Sequence, residues 1–195
     1  MRQASQDGQL VSRVRQGDLK ALGELYDKYH TQVFRTALSV THNQQVAEDI
    51  LQEVFLKLYR YCERIDTSLP LAPWLYRVTV NLCYTQLSRQ KRWFTALEDV
   101  IENLVSPPAQ TCPERFTEQS QVRTAVQQAI DLLSPNQKIV IVLYYLADLS
   151  LKEIAHILEV PEGTVKSRLH YGRKNLKRKL EKSHVLFPEV AYEFT

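Results

Sequence analysis

Between Gly163 and Lys182 the chain carries eight basic residues and one acidic residue. Lys166, Ser167, Arg168 and His170 come first, and Arg173, Lys174, Lys177 and Arg178 follow. Such side chains donate to the base edges and phosphates of duplex DNA, provided that one element presents them together. The preceding residues supply that element. Ser150 followed by Glu153 makes a capping box, Ile154 and Leu158 give one apolar face, and small Ala155 permits close approach of a neighbour. Glu159-Val160-Pro161 then breaks the helix tightly, and Val165 and Leu169 turn the next helix inward. This is the pattern of a helix-turn-helix whose second helix enters a major groove. Its early residues fall at base edges and its later ones at phosphates. A solvated basic face is the plain alternative, and the four features together outweigh it. Glu159 stands where glycine would relieve left-handed backbone strain, so a non-glycine there costs ~1 kcal/mol.

Other chemistry finds no residues to carry it. The sequence shows no Ser-His-Asp or Walker-like arrangement and no Cys–His spacing suited to structural zinc, so neither an enzyme nor a cofactor is expected. Cys62, Cys83 and Cys112 are odd in number and far apart, which argues against a disulfide framework; each is expected as a small buried residue or a free thiol. Five glycines leave little room for the turns of an all-β fold. No apolar run approaches the ~18–20 residues of a membrane span, and Met1 to Asp18 has no signal-peptide core. A soluble, cytoplasmic chain is expected.

The 195 residues allow one domain or two small ones, and the charge pattern favours two. The net charge of +3 resolves into +4 for residues 1–92, −4 for 93–120, +5 for 121–182 and −2 for 183–195. Two basic blocks are thus joined by an acidic segment and followed by an acidic tail, an asymmetry that directs attention to nucleic acid.

Both blocks read as helical. Asp18 is an N-cap candidate, behind which Ala21, Leu22, Leu25, Tyr26, Tyr29, Val33, Phe34 and Leu38 recur at helical spacing. The pattern breaks at His42-Asn43 and resumes with Val46, Ile50, Val54, Leu58 and Tyr61. Glu63 to Ala72 reads as a loop, and Pro73 opens a third long helix that should fade near Arg89–Arg92. Residues 93–120 lose periodicity and hold Pro107, Pro108 and Pro113, so they read as a flexible linker. The second block predicts helices over Glu118 to Leu133, Asn136 to Tyr145, Ser150 to Glu159 and Gly163 to Lys182. The tail, with Val185, Leu186, Phe187, Tyr192 and Phe194, is apolar enough either to pack back or to dock a partner.

Thr164 to His170, after Leu132-Leu133-Ser134-Pro135, resembles region four of bacterial extracytoplasmic-function (ECF) sigma factors. Asp18 to Tyr29 resembles that family's opening helix, Ala47 to Phe55 its core-binding helix, and Pro73 to Arg77 with Asn81-Leu82 its promoter-melting helix. The resemblance spans roughly Gln9 to Arg92 and Val122 to Lys182. It departs from the usual pattern at Val80, Thr85 and Tyr171.

What the resemblance implies is an all-α protein of two small helical domains joined by a flexible linker. Residues 1–92 would be region two, 93–120 the linker, 121–182 region four and 183–195 a C-terminal tail. Asp49, Gln52 and Glu53 would contact core RNA polymerase, with a solvated acidic face as the alternative. The loop Glu63 to Ala72 with Trp74, Arg77, Asn81 and Tyr84 would hold the unpaired −10 strand. Aromatic rings stack on exposed bases, Asn reads a base edge and Arg meets phosphate. Trp74 also sits on the apolar stripe, where a core role competes. Lys166, Ser167, Arg168, His170, Arg173, Lys174 and Lys177 would meet the −35 element. An anti-sigma partner is implied by the same resemblance. The rival function is a helix-turn-helix regulator that acts without core polymerase.

Overall fold

The computed structural model describes residues 6–101, 126, 129–130 and 132–182, with side chains described as far as Arg89 in the first stretch. The linker residues 102–120 and the tail 183–195 lie outside the described residues, as do Cys112 and most of the helix expected over Glu118 to Leu133. The helices are α1 (Gln6–Arg15), α2 (Leu19–Thr41), α3 (Gln44–Tyr61), α4 (Ala72–Ile101), α5 (Pro135–Tyr145), α6 (Leu151–Leu158) and α7 (Glu162–Lys182), with a 3-10 turn at Cys62–Arg64. Among the described residues there is no strand, and the fold is all-α with two helical units.

The helix ends follow from local chemistry. The Asp18 carboxylate accepts from the Lys20 and Ala21 N–H groups at 2.9 and 3.3 Å and starts α2. His42, at φ 54°, closes it with its N–H on Leu38 O at 2.7 Å. Asn43 Oδ1 then accepts from Val46 N–H at 3.0 Å and starts α3 one residue later. Removing any such cap costs about 0.5–2 kcal/mol. Helix α4 begins as expected, with Pro73 in its first turn, but it continues to Ile101 rather than fading near Arg92. The reason is that residues 93–101 hold no Gly or Pro, so charge alone does not stop a helix whose peptide bonds can go on pairing.

Helices α2, α3 and α4 pack mutually and form the core of the first block. Leu25, Val33, Val54, Leu58, Leu75 and Val80 are fully buried there. In the second block Ile139, Leu143, Ile154 and Val165 do the same work between α5, α6 and α7. Cutting one such side chain to Ala costs roughly 2–5 kcal/mol. Gly172 lets α7 approach α5, since a Cβ there would lie 3.1 Å from Ile141 Cγ1.

Two features lie beyond the sequence reading. Helix α1 is one: it buries Asp7, Gly8, Val11 and Val14 against the first block. Contact between the blocks is the other. Helix α5 rests on α2, α6 rests on α4, and the buried apolar cluster runs through both blocks.

Candidate nucleic-acid interface

The helix-turn-helix is built as its sequence demands. Ser150 N–H donates to Glu153 Oε2 at 2.8 Å, and Glu153 N–H donates back to Ser150 Oγ at 3.3 Å, closing the capping box. Glu159 closes α6 in the left-handed region at φ 54°, its N–H on Ala155 O, so the expected strain falls on a non-glycine residue. Pro161 O accepts from Thr164 and Val165 N–H at 2.9 and 3.3 Å and starts α7. Ile154, Ile157, Val165 and Leu169 are buried, which fixes the angle between the two helices and the roll of α7.

That roll sorts the basic residues. Lys166, Ser167, His170, Lys174, Lys177 and Arg178 are exposed. Lys166, His170, Lys174 and Lys177 recur at four- and three-residue steps, so they share one open stripe. Lys166 Nζ holds Glu162 Oε1 at 3.2 Å, an exposed pair that water and salt loosen readily. Arg168 and Arg173 are half-buried and turned toward protein. The Arg173 guanidinium lies 5.3 and 5.4 Å from the ring centres of Tyr144 and Tyr145, with its buried Nε making no hydrogen bond. Arg168 is close enough to act electrostatically on Tyr84, whose phenol is pushed up by burial and drawn down by that charge.

On the first block, two of the residues expected at the unpaired strand, Arg77 and Tyr84, bond to protein. Arg77 donates through Nη2 to His156 O at 2.7 Å and through Nε to Ile157 O at 3.3 Å. Its Nη1 pairs with Glu159 Oε1 at 2.7 Å. These carbonyls belong to the last turn of α6, where no further helical N–H is available to them. The Tyr84 hydroxyl donates to Asn136 Oδ1 at the start of α5. Asn81 stays exposed. Trp74 is half-buried and lines a groove of about 440 Å³ with Arg64, Leu69, Pro70, Arg77 and, from the second block, His156. Part of the Trp74 side chain packs against protein and part faces the groove.

The acidic set divides as well. Asp49 and Glu53 border a groove of about 340 Å³ with Leu82, Gln86 and Arg89, while Gln52 is exposed on the outer face of α3. Leu56 and Tyr59 continue that outer face, 47% and 45% exposed, and sequence reasoning passed them over. It also missed Asn136, His156 and Glu159 as partners of Arg77 and Tyr84. Among the described residues no group of three or more His, Cys, Asp or Glu could hold a metal ion, and no helix is long and apolar enough to cross a membrane. Burial pushes the Cys83 thiol up to about 12, so it stays protonated and inert.

Known proteins match both blocks in order. Residues 25–93 fit the family description Sigma-70 region 2, and residues 123–176 fit Sigma-70, region 4. The ECF RNA polymerase sigma factor SigW of Bacillus subtilis is 31% identical over 182 residues, covering 87% of this chain and 94% of that protein. SigM of the same organism is 33% identical over 156 residues, covering 80% and 93%. CnrH, solved in complex with the cytosolic domain of CnrY, has a TM-score of 0.66 at 19% identity, covering 91% of this chain and 99% of that one. The sigma factor RpoE, solved with the anti-sigma factor NepR from Bartonella quintana, has a TM-score of 0.63 at 21% identity, covering 83% and 98%. At such identities these two speak for the fold. On both matched regions and the near full-length relatives, the chain belongs to the ECF RNA polymerase sigma factors, non-enzymatic sigma subunits that bind core polymerase and promoter DNA and direct transcription initiation.

Proposed function

We propose that the labour of promoter recognition is divided along the chain as its charge blocks are. Residues 121–182 hold the −35 duplex through α7. Residues 1–92 bind core polymerase and capture the unpaired −10 strand, and residues 93–120 connect them. The observation that carries this reading is the open stripe of Lys166, Ser167, His170, Lys174 and Lys177 on the second helix of a helix-turn-helix. Lys166, Ser167 and His170 read bases, and Lys174 and Lys177 meet phosphates as the helix leaves the groove. Arg168 and Arg173 serve the protein side of α7 and orient it.

On the first block, Trp74, Arg77, Asn81 and Tyr84 take the unpaired strand by stacking, phosphate contact and base-edge hydrogen bonds. Asp49, Gln52 and Glu53 meet core polymerase, supported by the exposed Leu56 and Tyr59 beside them. That mixture of apolar and acidic side chains suits a protein partner better than DNA. An anti-sigma protein restrains the chain, a reading supported by the anti-sigma factor NepR bound to the similar fold of RpoE. The place of action is the bacterial cytoplasm.

The test is run-off transcription with core polymerase on a genomic promoter library, followed by salt titration of the selected −35 duplex and a scrambled one. Lys177→Ala should weaken both duplexes alike and flatten the salt dependence by about 0.9 in the log–log slope. Lys166→Ala should instead narrow the gap between them, since a lost base contact removes roughly 1–3 kcal/mol of discrimination. Equal weakening of both duplexes by Lys166→Ala would make Lys166 a phosphate contact and move the reading face elsewhere.

A further inference from the structure

The loop between α3 and α4 forms one wall of the groove beside Trp74, through Arg64, Leu69 and Pro70. Loops carrying three exposed residues in a row of turns are rarely rigid by themselves. This one is fastened from behind by α1. At the start of the loop, Arg15 Nε donates to Cys62 O at 2.9 Å. Arg15 Nη2 donates to Ile65 O, three residues on. In the middle, Gly8 lies against Thr67 so closely that a Cβ would sit 2.0 Å from Thr67 O. At the end, the Leu71 backbone comes close enough to the Asp7 carboxylate to help hold it below its ordinary pKa.

The α1 anchor is itself held. Lys28 Nζ and the Tyr29 hydroxyl donate to the two Asp7 oxygens at 2.5 and 2.6 Å, tying the acid to α2. The loop also carries a local brace, with Ser68 N–H and Oγ both donating to Asp66 Oδ1 at 2.9 and 2.7 Å. The fastened carbonyls at 62 and 65 are backbone groups. They fix the course of the chain and leave the side chains of Arg64, Leu69 and Pro70 free to face the groove.

We propose that α1 is a positioning element for strand capture: Arg15, with Gly8 and Asp7, holds the 62–71 loop in the one shape that presents its groove wall to an unpaired base. This rests on the reading of the loop and Trp74 as the −10 strand site. Binding a flexible loop and a flexible strand together means ordering both, whereas a loop fixed beforehand leaves only the strand to be ordered. The consequence is selectivity. A loosened loop still offers charge to phosphates but no longer a shaped wall to a particular base.

The experiment uses holoenzyme and a short single-stranded DNA selected from a randomised pool by wild-type holoenzyme. Affinity for that strand is compared with affinity for the same strand bearing a substituted base. Arg15→Ala should cut the discrimination ratio on the order of tenfold, as expected when two charge-assisted bonds to the loop are lost. Holoenzyme formation and binding of a −35 duplex should be unchanged. Arg15→Lys, which can reach one carbonyl but not fork to two, should recover part of the ratio. Gly8→Ala should lower it without removing any charge, which separates loop shape from electrostatics. If wild-type holoenzyme selects no strand, the strand-site reading falls and this inference with it. If wild type selects a strand and Arg15→Ala discriminates as well as wild type, the inference alone is overturned. Loss of holoenzyme formation in step with the ratio would also overturn it, making α1 a general support of the fold.

Discussion

The two surfaces proposed for DNA stand in opposite conditions in this molecule. On α7, Lys166, Ser167, His170 and Lys174 are exposed, and the contacts described for them stay on α7 itself: Lys166 with Glu162, Ser167 Oγ donating to Thr164 O, and His170 edge-on against Tyr171. On α4, Arg77 and Tyr84 are already engaged, and among the described residues their side-chain hydrogen-bond partners come from the second block. A duplex can approach α7 without moving any helix. A strand that is to meet Arg77 must first replace two carbonyls and a carboxylate, and must displace His156 from the groove beside Trp74. The same guanidinium that suits a phosphate also suits the open C-terminal end of a helix, because both offer oxygen acceptors to a planar fork. The difference teaches that one surface is ready and the other conditional on separation of the blocks.

The strongest way to break that comparison is to remove the second block's core. Ile154 is fully buried between α6 and α7, so Ile154→Ala should cost about 2–5 kcal/mol. Thermal unfolding should show the loss, −35 duplex binding should fall with it, and Trp74 fluorescence should report a more open groove. Retained duplex binding with an unchanged melting curve would mean that α6 does not set the roll of α7.

A smaller effect is expected from Arg77→Ala. Charged hydrogen bonds are worth about 1.5–3 kcal/mol when buried, but Arg77 is partly exposed and its Glu159 pair is screened, so about 1–2 kcal/mol of docking is the reasonable scale. Small-angle scattering should show an expanded free chain, and added salt should produce part of the same change in wild type. An unchanged scattering curve would assign the docking to apolar contacts between α5 and α2 instead.

The smallest effect sharpens the comparison through pH. Burial raises the Asp7 carboxyl, but hydrogen bonds from Lys28 and Tyr29, the Lys28 charge and the nearby Leu71 backbone outweigh it and hold the group below its ordinary value. Its contribution is therefore complete above the ordinary carboxylate range and disappears as the pH falls through the folded value. Wild type should melt higher than Asp7→Asn near neutral pH, and the gap should close below about pH 4. A gap independent of pH would mean that the Asp7 charge plays no part in holding α1.

What the sequence made legible is what short-range chemistry decides. The helix-turn-helix needed only Ser150 with Glu153, the strained Glu159 and the inward Val165 and Leu169, all within twenty-odd residues, and each lies where it was expected. The caps at Asp18 and Asn43 and the turn at Pro73 were readable for the same reason. Even the inward turn of Arg168 was within reach, since it lies three residues beyond buried Val165 on the apolar side of α7. Helix α1 was not. Its buried side is Asp7, Gly8, Val11 and Val14, so only two of the four residues are apolar, and their partners lie on the loop and on α2. The docking of Arg77 was equally hidden, because its acceptors are about eighty residues away and two of them are backbone carbonyls with no side-chain signature.

In the free chain the second block covers the side of α4 proposed to meet the strand, and promoter capture requires that side to open. Energy transfer between fluorophores at Ser88→Cys on α4 and Lys152→Cys on α6, in a chain with Cys112→Ser, reads that directly. Both labelled positions are exposed, and Cys62 and Cys83 are buried away from the reagent. Transfer should be high in the free chain, lower in Arg77→Ala, and lowest in holoenzyme bound to a melted promoter. Equal transfer in the free chain and in the promoter complex would contradict the account, because strand capture would then proceed with the blocks still docked.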